Sequence, residues 1–347
     1  MPLILDASAA SAIEQAADRL AAGGLVGMPT ETVYGLAADA DNATAVQSIF
    51  SAKERPADHP LIVHVAADDA GAASGHWDAV VAPFAQNVPA VALALMKAFW
   101  PGPLTLILPR RPSAVAVAAG GQDSVGLRSP SHPVAQALLK AARAKGVQGL
   151  AAPSANRFGR VSPTTAAHVQ QEFEALPEDA LLVLDGGACP VGIESSIVDC
   201  TRAVPVLLRP GMLSVDELSR ACGVRVQQPE EAADNELGDA PRASGTLASH
   251  YAPSVPVRLM PARQLQSALD VLGPDARHIA VYARADLKVA PGILLRRMPS
   301  EAAAAAQELF AQLRALDDTG VKLIWVETPP EDAAWDGVRD RLQRAAA

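Results

Sequence analysis

Between Pro29 and Val65 the chain brings together Thr30 and Thr32, Glu31, the spaced cations Lys53 and Arg55, and His64. Small hydroxyls and cations in loops at strand ends are what a site for phosphates and carboxylates requires. A buried core requires none of them. Taken alone, the Lys-x-Arg pair also fits a second reading, in which both cations offset the C-terminal dipole of the helix before them. Two hydroxyl-rich turns and a strand histidine nearby favour the anion site.

The elements that must position these residues follow from pattern. Ile13, Ala16, Ala17 and Leu20 fall at helical spacing over residues 8–22, and Gly23-Gly24 ends that helix. Leu25 to Met28 is a short apolar strand broken by Pro29, so Thr30, Glu31 and Thr32 lie in the loop beyond its end. Open α/β sheets gather ligands at such strand ends. A helix capped near Asp41-Asn42 buries Val46, Ile49 and Phe50 and ends before Pro56. Lys53 and Arg55 therefore emerge at a helix exit, just ahead of a strand over 61–65.

Further along, residues 68–85 are poorly patterned and expected to be loop-rich, 89–100 reads as a helix and 104–108 as a core strand. Ser124 to Arg128 is a short strand with an arginine at its end, and 133–145 is a helix. The turn Ser154-Ala155-Asn156 and the segment to Ser162 are rich in donors that suit phosphate or ribose. Thr164 is the expected cap of the following helix, and neither a Walker A nor a GxGxxG word occurs. Strands over 181–185, 195–200 and 204–209 follow at short spacing, with Ser195 at a strand start and Arg209 at a strand end. Alternating strands and helices with short links predict a twisted mixed α/β sheet with flanking helices.

Residues 212–253 read as an acidic linker with one helix near 215–221, delivering His250-Tyr251. Tyr251 is either a lid aromatic or a boundary residue packing on the next domain. From residue 254 the pattern restarts as a smaller Rossmann-like α/β domain to 347. It has no dinucleotide fingerprint and no cluster of reactive residues, so a structural or regulatory role is expected.

The words PTETVYGL (29–36), KERP (53–56), HPLIVHV (59–65), PGPLTLIL (101–108), SVGLR (124–128), APSAN (152–156), GIESSIVD (192–199), LRPG (208–211) and SHYAP (249–253) resemble, in order, those of threonylcarbamoyl-AMP synthases in their long form. The resemblance implies a YrdC-like catalytic domain over 1–211 and condensation of L-threonine, bicarbonate and ATP to threonylcarbamoyl-AMP and pyrophosphate. It further implies Mg2+ with the nucleotide and transfer of the product to a tRNA-modifying complex. By resemblance, Thr32, His64, Arg128, Ala152 and Ser195 line a threonine pocket. Arg55, His59, Ser124, Ser154, Asn156, Ser162, Arg209 and Tyr251 line an ATP pocket, and Lys53 with Arg55 meets charge developing on the phosphates. Two departures stand out. His59 replaces a usual asparagine, and the linker reads ASGTLASHYAP (243–253), without the lysines common in the family.

Composition narrows the alternatives. The formal net charge of −9 argues against a chain whose main task is gripping nucleic-acid backbone, although a local basic groove with weak RNA binding stays compatible with it. Three scattered cysteines match neither a disulfide framework nor the paired CxxC fingers of hydrogenase-maturation carbamoyltransferases. The lack of a signal peptide or a long apolar run points to a cytoplasmic chain without membrane contact. A non-catalytic double-stranded RNA or tRNA binder and a nucleotide sensor without turnover are the rival readings.

Overall fold

The computed structural model describes residues 1–67, 76–233, 241–247 and 249–347. Its larger sheet has ten strands: β1 Leu3–Asp6, β2 Leu25–Met28, β3 Gly35–Asp39, β4 Ile62–His64, β5 Leu104–Pro109, β6 Ser124–Arg128, β7 Leu150–Ala151, β8 Leu181–Asp185, β9 Ser196–Asp199 and β10 Val206–Arg209. They lie in the order β1-β8-β2-β3-β7-β4-β6-β5-β9-β10, with parallel and antiparallel pairs mixed. Strands β1, β3 and β7 lie where pattern predicted no strand, and β3, of sequence Gly-Leu-Ala-Ala-Asp, is the longest of the three. Its alanines carry little strand propensity, and burial in mid-sheet stabilises it instead.

Two register relations set the site. His64 on β4 pairs with Arg128 on β6, side by side in a parallel ladder. Gly35 bridges Ser154, which ties the Ser154–Asn156 turn to the start of β3. The helix Ala43–Lys53 is capped by Asn42, whose side chain accepts from the amides of Thr44 and Ala45. It ends on Glu54 in the left-handed region (φ 54°), and Arg55 follows.

The second sheet comprises β11 Val257–Met260, β12 Ile279–Ala283, β13 Leu294–Arg297 and β14 Leu323–Glu327, all parallel, in the order β11-β14-β12-β13. Helices Ala262–Leu272, Ala302–Asp317 and Asp336–Ala345 accompany it. This unit is not tethered loosely. One hydrophobic cluster joins Val33, Val161 and Ile193 of the first unit and Tyr251 of the linker to Phe310, Leu313, Val338 and Leu342 of the second. At the seam, a Cβ on Gly192 (φ +82°) would lie 2.3 Å from the Gln307 carbonyl oxygen, and one on Gly337 would lie 2.7 Å from that of Gly211. Backbone meets backbone there, at a spacing only glycine permits.

Three local expectations change. Thr165, not Thr164, caps the helix Ala166–Glu172, accepting from the His168 amide. A short helix, Trp77–Val81, occupies part of the stretch read as loop, while 68–75 lie outside the described residues. The linker has a second helical turn, Pro229–Ala233, besides Val215–Cys222. No described helix is long and apolar enough to cross a membrane, and Cys189, Cys200 and Cys222 are free thiols.

Candidate active site

The loop after β2, the exit of helix Ala43–Lys53, the ends of β4, β6 and β10 and the turn after β7 converge on one cavity. Thr30, Thr32, Arg55, His64, Arg128, Ala152, Ser154, Ser195, Arg209 and Tyr251 line it. So do Glu194, Ser244, Gly245 and His250, which pattern did not nominate.

One end is built around Arg128. Its Nη1 donates to Thr32 Oγ1 at 2.8 Å, its Nε to the Gly102 carbonyl at 3.2 Å, and its Nη2 forms an ion pair with Glu31 at 2.7 Å. Thr30 and Thr32 share a 2.9 Å hydroxyl contact, so the loop presents two oriented hydroxyls. Beside them, burial, and then the Arg128 charge, push the His64 imidazole down to about 3, and its Nδ1 has no hydrogen-bond partner among the described residues. A neutral imidazole, hydroxyls and a fixed guanidinium suit a polar substrate that carries a carboxylate.

The other end holds Arg55 and Arg209. Arg209 donates from Nε to the Ser195 carbonyl at 3.0 Å, from Nη2 to Ser195 Oγ at 3.2 Å and from Nη1 to the Ser244 carbonyl at 2.7 Å. Ser195 Oγ in turn lies 2.8 Å from Thr105 Oγ1, so β5 contributes beyond a core role. Arg55 donates from Nη2 to the Pro60 carbonyl at 2.9 Å and to Ser244 Oγ at 3.2 Å, while burial pulls its guanidinium down to about 10. Among the described residues neither Arg55 nor Arg209 is ion-paired with a carboxylate. Two buried guanidiniums aimed at one short segment make an anion pole that the linker now occupies.

That linker lies across the cavity as a strap. Ser244 Oγ donates to the Pro60 carbonyl at 2.8 Å, and Arg242 Nη1 pairs with Asp58 at 3.2 Å. Tyr251 is buried with its ring stacked on Phe310 at 5.4 Å. Both readings of this tyrosine hold, since it packs on the second unit and lines the cavity. With the strap in place the enclosed space is about 40 Å³, enough for a few waters.

Five sequence-derived residues lie outside the lining. Lys53 is the largest departure, because its buried ammonium donates to the Ser154 carbonyl at 2.6 Å and to that of Asn156. Burial, and then the neighbouring Arg55, hold its pKa well below the usual lysine range. It anchors the donor-rich turn rather than facing the cavity. Asn156 donates from Nδ2 to the Arg157 and Arg160 carbonyls at 2.7 and 2.9 Å, shaping the same turn. Ser162 donates to Glu194, and the half-buried His59 packs edge-on against Phe158 at 5.4 Å. Ser124 lines a small adjoining cavity that shares Ile62 and Ser244 with the first.

The residue least visible in sequence is Arg341, fully buried on the last helix, with Nε 2.8 Å from Glu194 Oε2. Glu194 stands within a quoted motif, but nothing local announces a partner 147 positions away. Among the described residues no group of three or more His, Cys, Asp or Glu is placed to hold a metal ion.

A mixed sheet whose strand ends close around a carboxylate pole and an anion pole, under a strap from the linker, defines a protein for small anionic substrates. Comparison narrows the class. Residues 18–211 match the Sua5, YciO and YrdC family model described as telomere recombination, and residues 213–347 match the threonylcarbamoyl-AMP synthase C-terminal domain. The chain is 35% identical to the threonylcarbamoyl-AMP synthase of Pyrococcus abyssi (strain GE5 / Orsay) over 341 residues, covering 96% of this chain and 94% of that protein. It is also 35% identical to the Bacillus subtilis (strain 168) synthase over 346 residues, with 96% and 92% covered. The structure of P. abyssi Sua5 complexed with L-threonine superposes with a TM-score of 0.85 at 33% identity, covering 100% of this chain and 97% of that one. The chain belongs to the threonylcarbamoyl-AMP synthase family.

Proposed function

We propose that the chain condenses L-threonine, bicarbonate and ATP into threonylcarbamoyl-AMP and pyrophosphate, for modification of tRNA. The observation that carries this reading is the pairing of two poles in one cavity. Arg128, Thr32 and His64 suit an amino acid, whereas Arg55 and Arg209 suit a nucleotide's phosphates. The threonine-bound P. abyssi relative supports the first assignment.

In this reading Arg128 fixes the threonine carboxylate, and the uncharged amine becomes a carbamate, from carbon dioxide with loss of a proton or from bicarbonate with loss of water. A carbamate oxygen attacks the α-phosphorus and pyrophosphate leaves. The transition state spreads charge over phosphoryl oxygens, so positioned cations supply most of the stabilisation. Arg55 and Arg209 supply that charge from the protein. A cavity that, among the described residues, has no cluster of acids suits a Mg2+ ion that arrives on the triphosphate oxygens, as part of the substrate. Because about 40 Å³ is far smaller than ATP, entry requires Ser244 to release both guanidiniums and the strap to lift. Its return shields a mixed anhydride from water.

The division of labour follows. Residues 1–211 carry catalysis, the described linker residues from Arg242 to Tyr251 cover the pocket and 254–347 brace it, in a reducing, cytoplasmic setting. The product passes to a tRNA-modifying transferase complex. A purely RNA-binding role is left without an observation in its favour.

The test is pyrophosphate release from ATP, with threonine, bicarbonate or Mg2+ omitted in turn. Release that requires all three supports the synthase. ATP consumption indifferent to threonine, or none at all, would refute it.

A further inference from the structure

We infer that Arg341, on the last helix of the second domain, is a positioning residue that holds the Glu194 carboxylate to itself and so leaves the Arg209 guanidinium for the nucleotide's phosphates. The inference rests on the synthase reading above.

Glu194 lines the cavity that contains Arg55 and Arg209. A buried carboxylate there would neutralise the charge that an anionic substrate needs. Each of its carboxylate oxygens instead has a partner of its own. Arg341 Nε approaches Oε2 at 2.8 Å, Ser162 donates to Oε1, and Arg341 Nη2 reaches the Glu194 carbonyl at 3.2 Å. Arg341 is itself fixed by the Pro210 carbonyl at 2.7 Å and by Asp340 at 2.8 Å, with its guanidinium 5.4 Å from the Tyr251 ring centroid.

The other groups acting on Glu194 are Arg209, Lys53, His250 and Tyr251. Burial would raise the Glu194 carboxyl, but Arg341 first and Arg209 second outweigh it and keep it below the ordinary range. If Arg341 is removed, Arg209 is the strongest remaining counter-charge. Glu194 then turns to Arg209 or takes a proton, and the anion pole is altered either way. Among the described residues no hydrogen bond or ion pair joins Arg128, Thr32 or His64 to Glu194, and Ser195, next to Glu194 and bonded to Arg209, links the two ends, so the amino-acid end should register the loss less than the nucleotide end.

The experiment uses the full chain and measures ATP and L-threonine affinity by calorimetry for wild type, Arg341→Met, Arg341→Lys and Arg341→Met/Glu194→Gln, between pH 6 and 9. Arg341→Met should weaken ATP by about tenfold or more, equivalent to ~1.4 kcal/mol. Threonine affinity should change by clearly less, about threefold at most, since Arg128, Thr32 and His64 keep their partners. ATP binding by Arg341→Met should also vary with pH where wild type is flat, as Glu194 titrates. Adding Glu194→Gln should recover most of the ATP affinity and flatten the pH profile. Arg341→Lys keeps the charge without the fork and should fall between.

Equal losses for both ligands, or no recovery with Glu194→Gln, would overturn the inference and leave Arg341 as a domain-docking residue. If Arg341→Met does not fold, the contrast between Arg341→Lys and its Glu194→Gln double carries the same decision. Wild-type pyrophosphate release, assayed in parallel, tells the two failures apart. Its absence would sink the synthase reading, while the affinity contrast would still report on Arg341.

Discussion

Lys53 Nζ donates to the Ser154 carbonyl at 2.6 Å, joining the end of one helix to the turn after β7. With the Asn156 carbonyl as second acceptor, the ammonium holds the backbone of a wall that carries Ser154. A buried carbonyl left without its donor costs roughly 1–3 kcal/mol, so Lys53→Met, which strips two, should destabilise the fold by about 3 kcal/mol and weaken ATP binding through a loosened turn. Urea denaturation with a parallel ATP titration checks this. A stability loss below about 1 kcal/mol, together with a large ATP effect, would show the lysine acting on phosphate directly.

Arg128 directs its three guanidinium nitrogens at three different partners: Thr32, Gly102 and Glu31. A lysine cannot reproduce that fork and would leave Glu31 without its close counter-charge. Arg128→Lys should raise the KM for threonine by roughly 10- to 100-fold and leave ATP affinity within about threefold, because Arg55 and Arg209 are unaffected. Steady-state kinetics in both substrates decides it. An equal rise in both KM values would place Arg128 elsewhere in the mechanism.

Gly245 has φ +77°, and a Cβ there would lie 2.2 Å from the Tyr251 hydroxyl and 2.9 Å from Arg209 Nη1. Gly245→Ala should therefore prevent the strap from seating while leaving the sheet intact. The expected result is unchanged thermal stability within about 1 kcal/mol, with a larger share of ATP appearing as AMP. Chromatographic partitioning between AMP and threonylcarbamoyl-AMP reads it, and wild-type partitioning would remove the strap from the mechanism.

His64 and His250 are buried and pushed down to about 3, each with burial as the main cause. Their folded values lie below the ordinary 6.5, so the unfolded chain binds protons first as pH falls. Stability should thus drop on acidification from pH 6.5, by ~1.4 kcal/mol per pH unit for each histidine. Glu31 and Glu194, held below the ordinary carboxylate range, add to the drop only as pH falls to about 5 and below, so the interval from 7.0 to 6.0 reports the histidines. Denaturation midpoints at pH 7.0, 6.0 and 5.0 measure the slope, and His64→Gln should reduce it by one proton's worth. An unchanged slope would mean that His64 titrates normally in the fold.

Most of the cavity wall was legible because its residues sit in loops at strand ends, where punctuation by glycine and proline is local. The roles of Thr32, Arg128 and Ser195 come from the resemblance of such short words, since position alone would leave Arg128 a solvated arginine at a strand end. Strand β3 was not legible, since Ala37 and Ala38 owe their conformation to neighbours on both sides. Nor was the direction of the Lys53 side chain, because helix periodicity places its Cα but not the carbonyls that capture its ammonium. Contacts such as Ser244 with Arg209 and Arg341 with Glu194 depend on long-range packing, which leaves no periodic trace in either partner.

The glycine seam has a practical side. Gly192 presses on Gln307, Gly337 presses on Gly211, and between them Val33, Val161 and Ile193 are covered by the second unit. Ending the polypeptide after Gly211 would bare those three side chains to solvent and strand Glu194 without its guanidinium, besides taking away the strap. Any loss in such a fragment would mix three causes. A shortened version suited to crystallography or ligand screening needs a neutral residue at Glu194 and polar ones at the bared positions before its behaviour says anything about the cover.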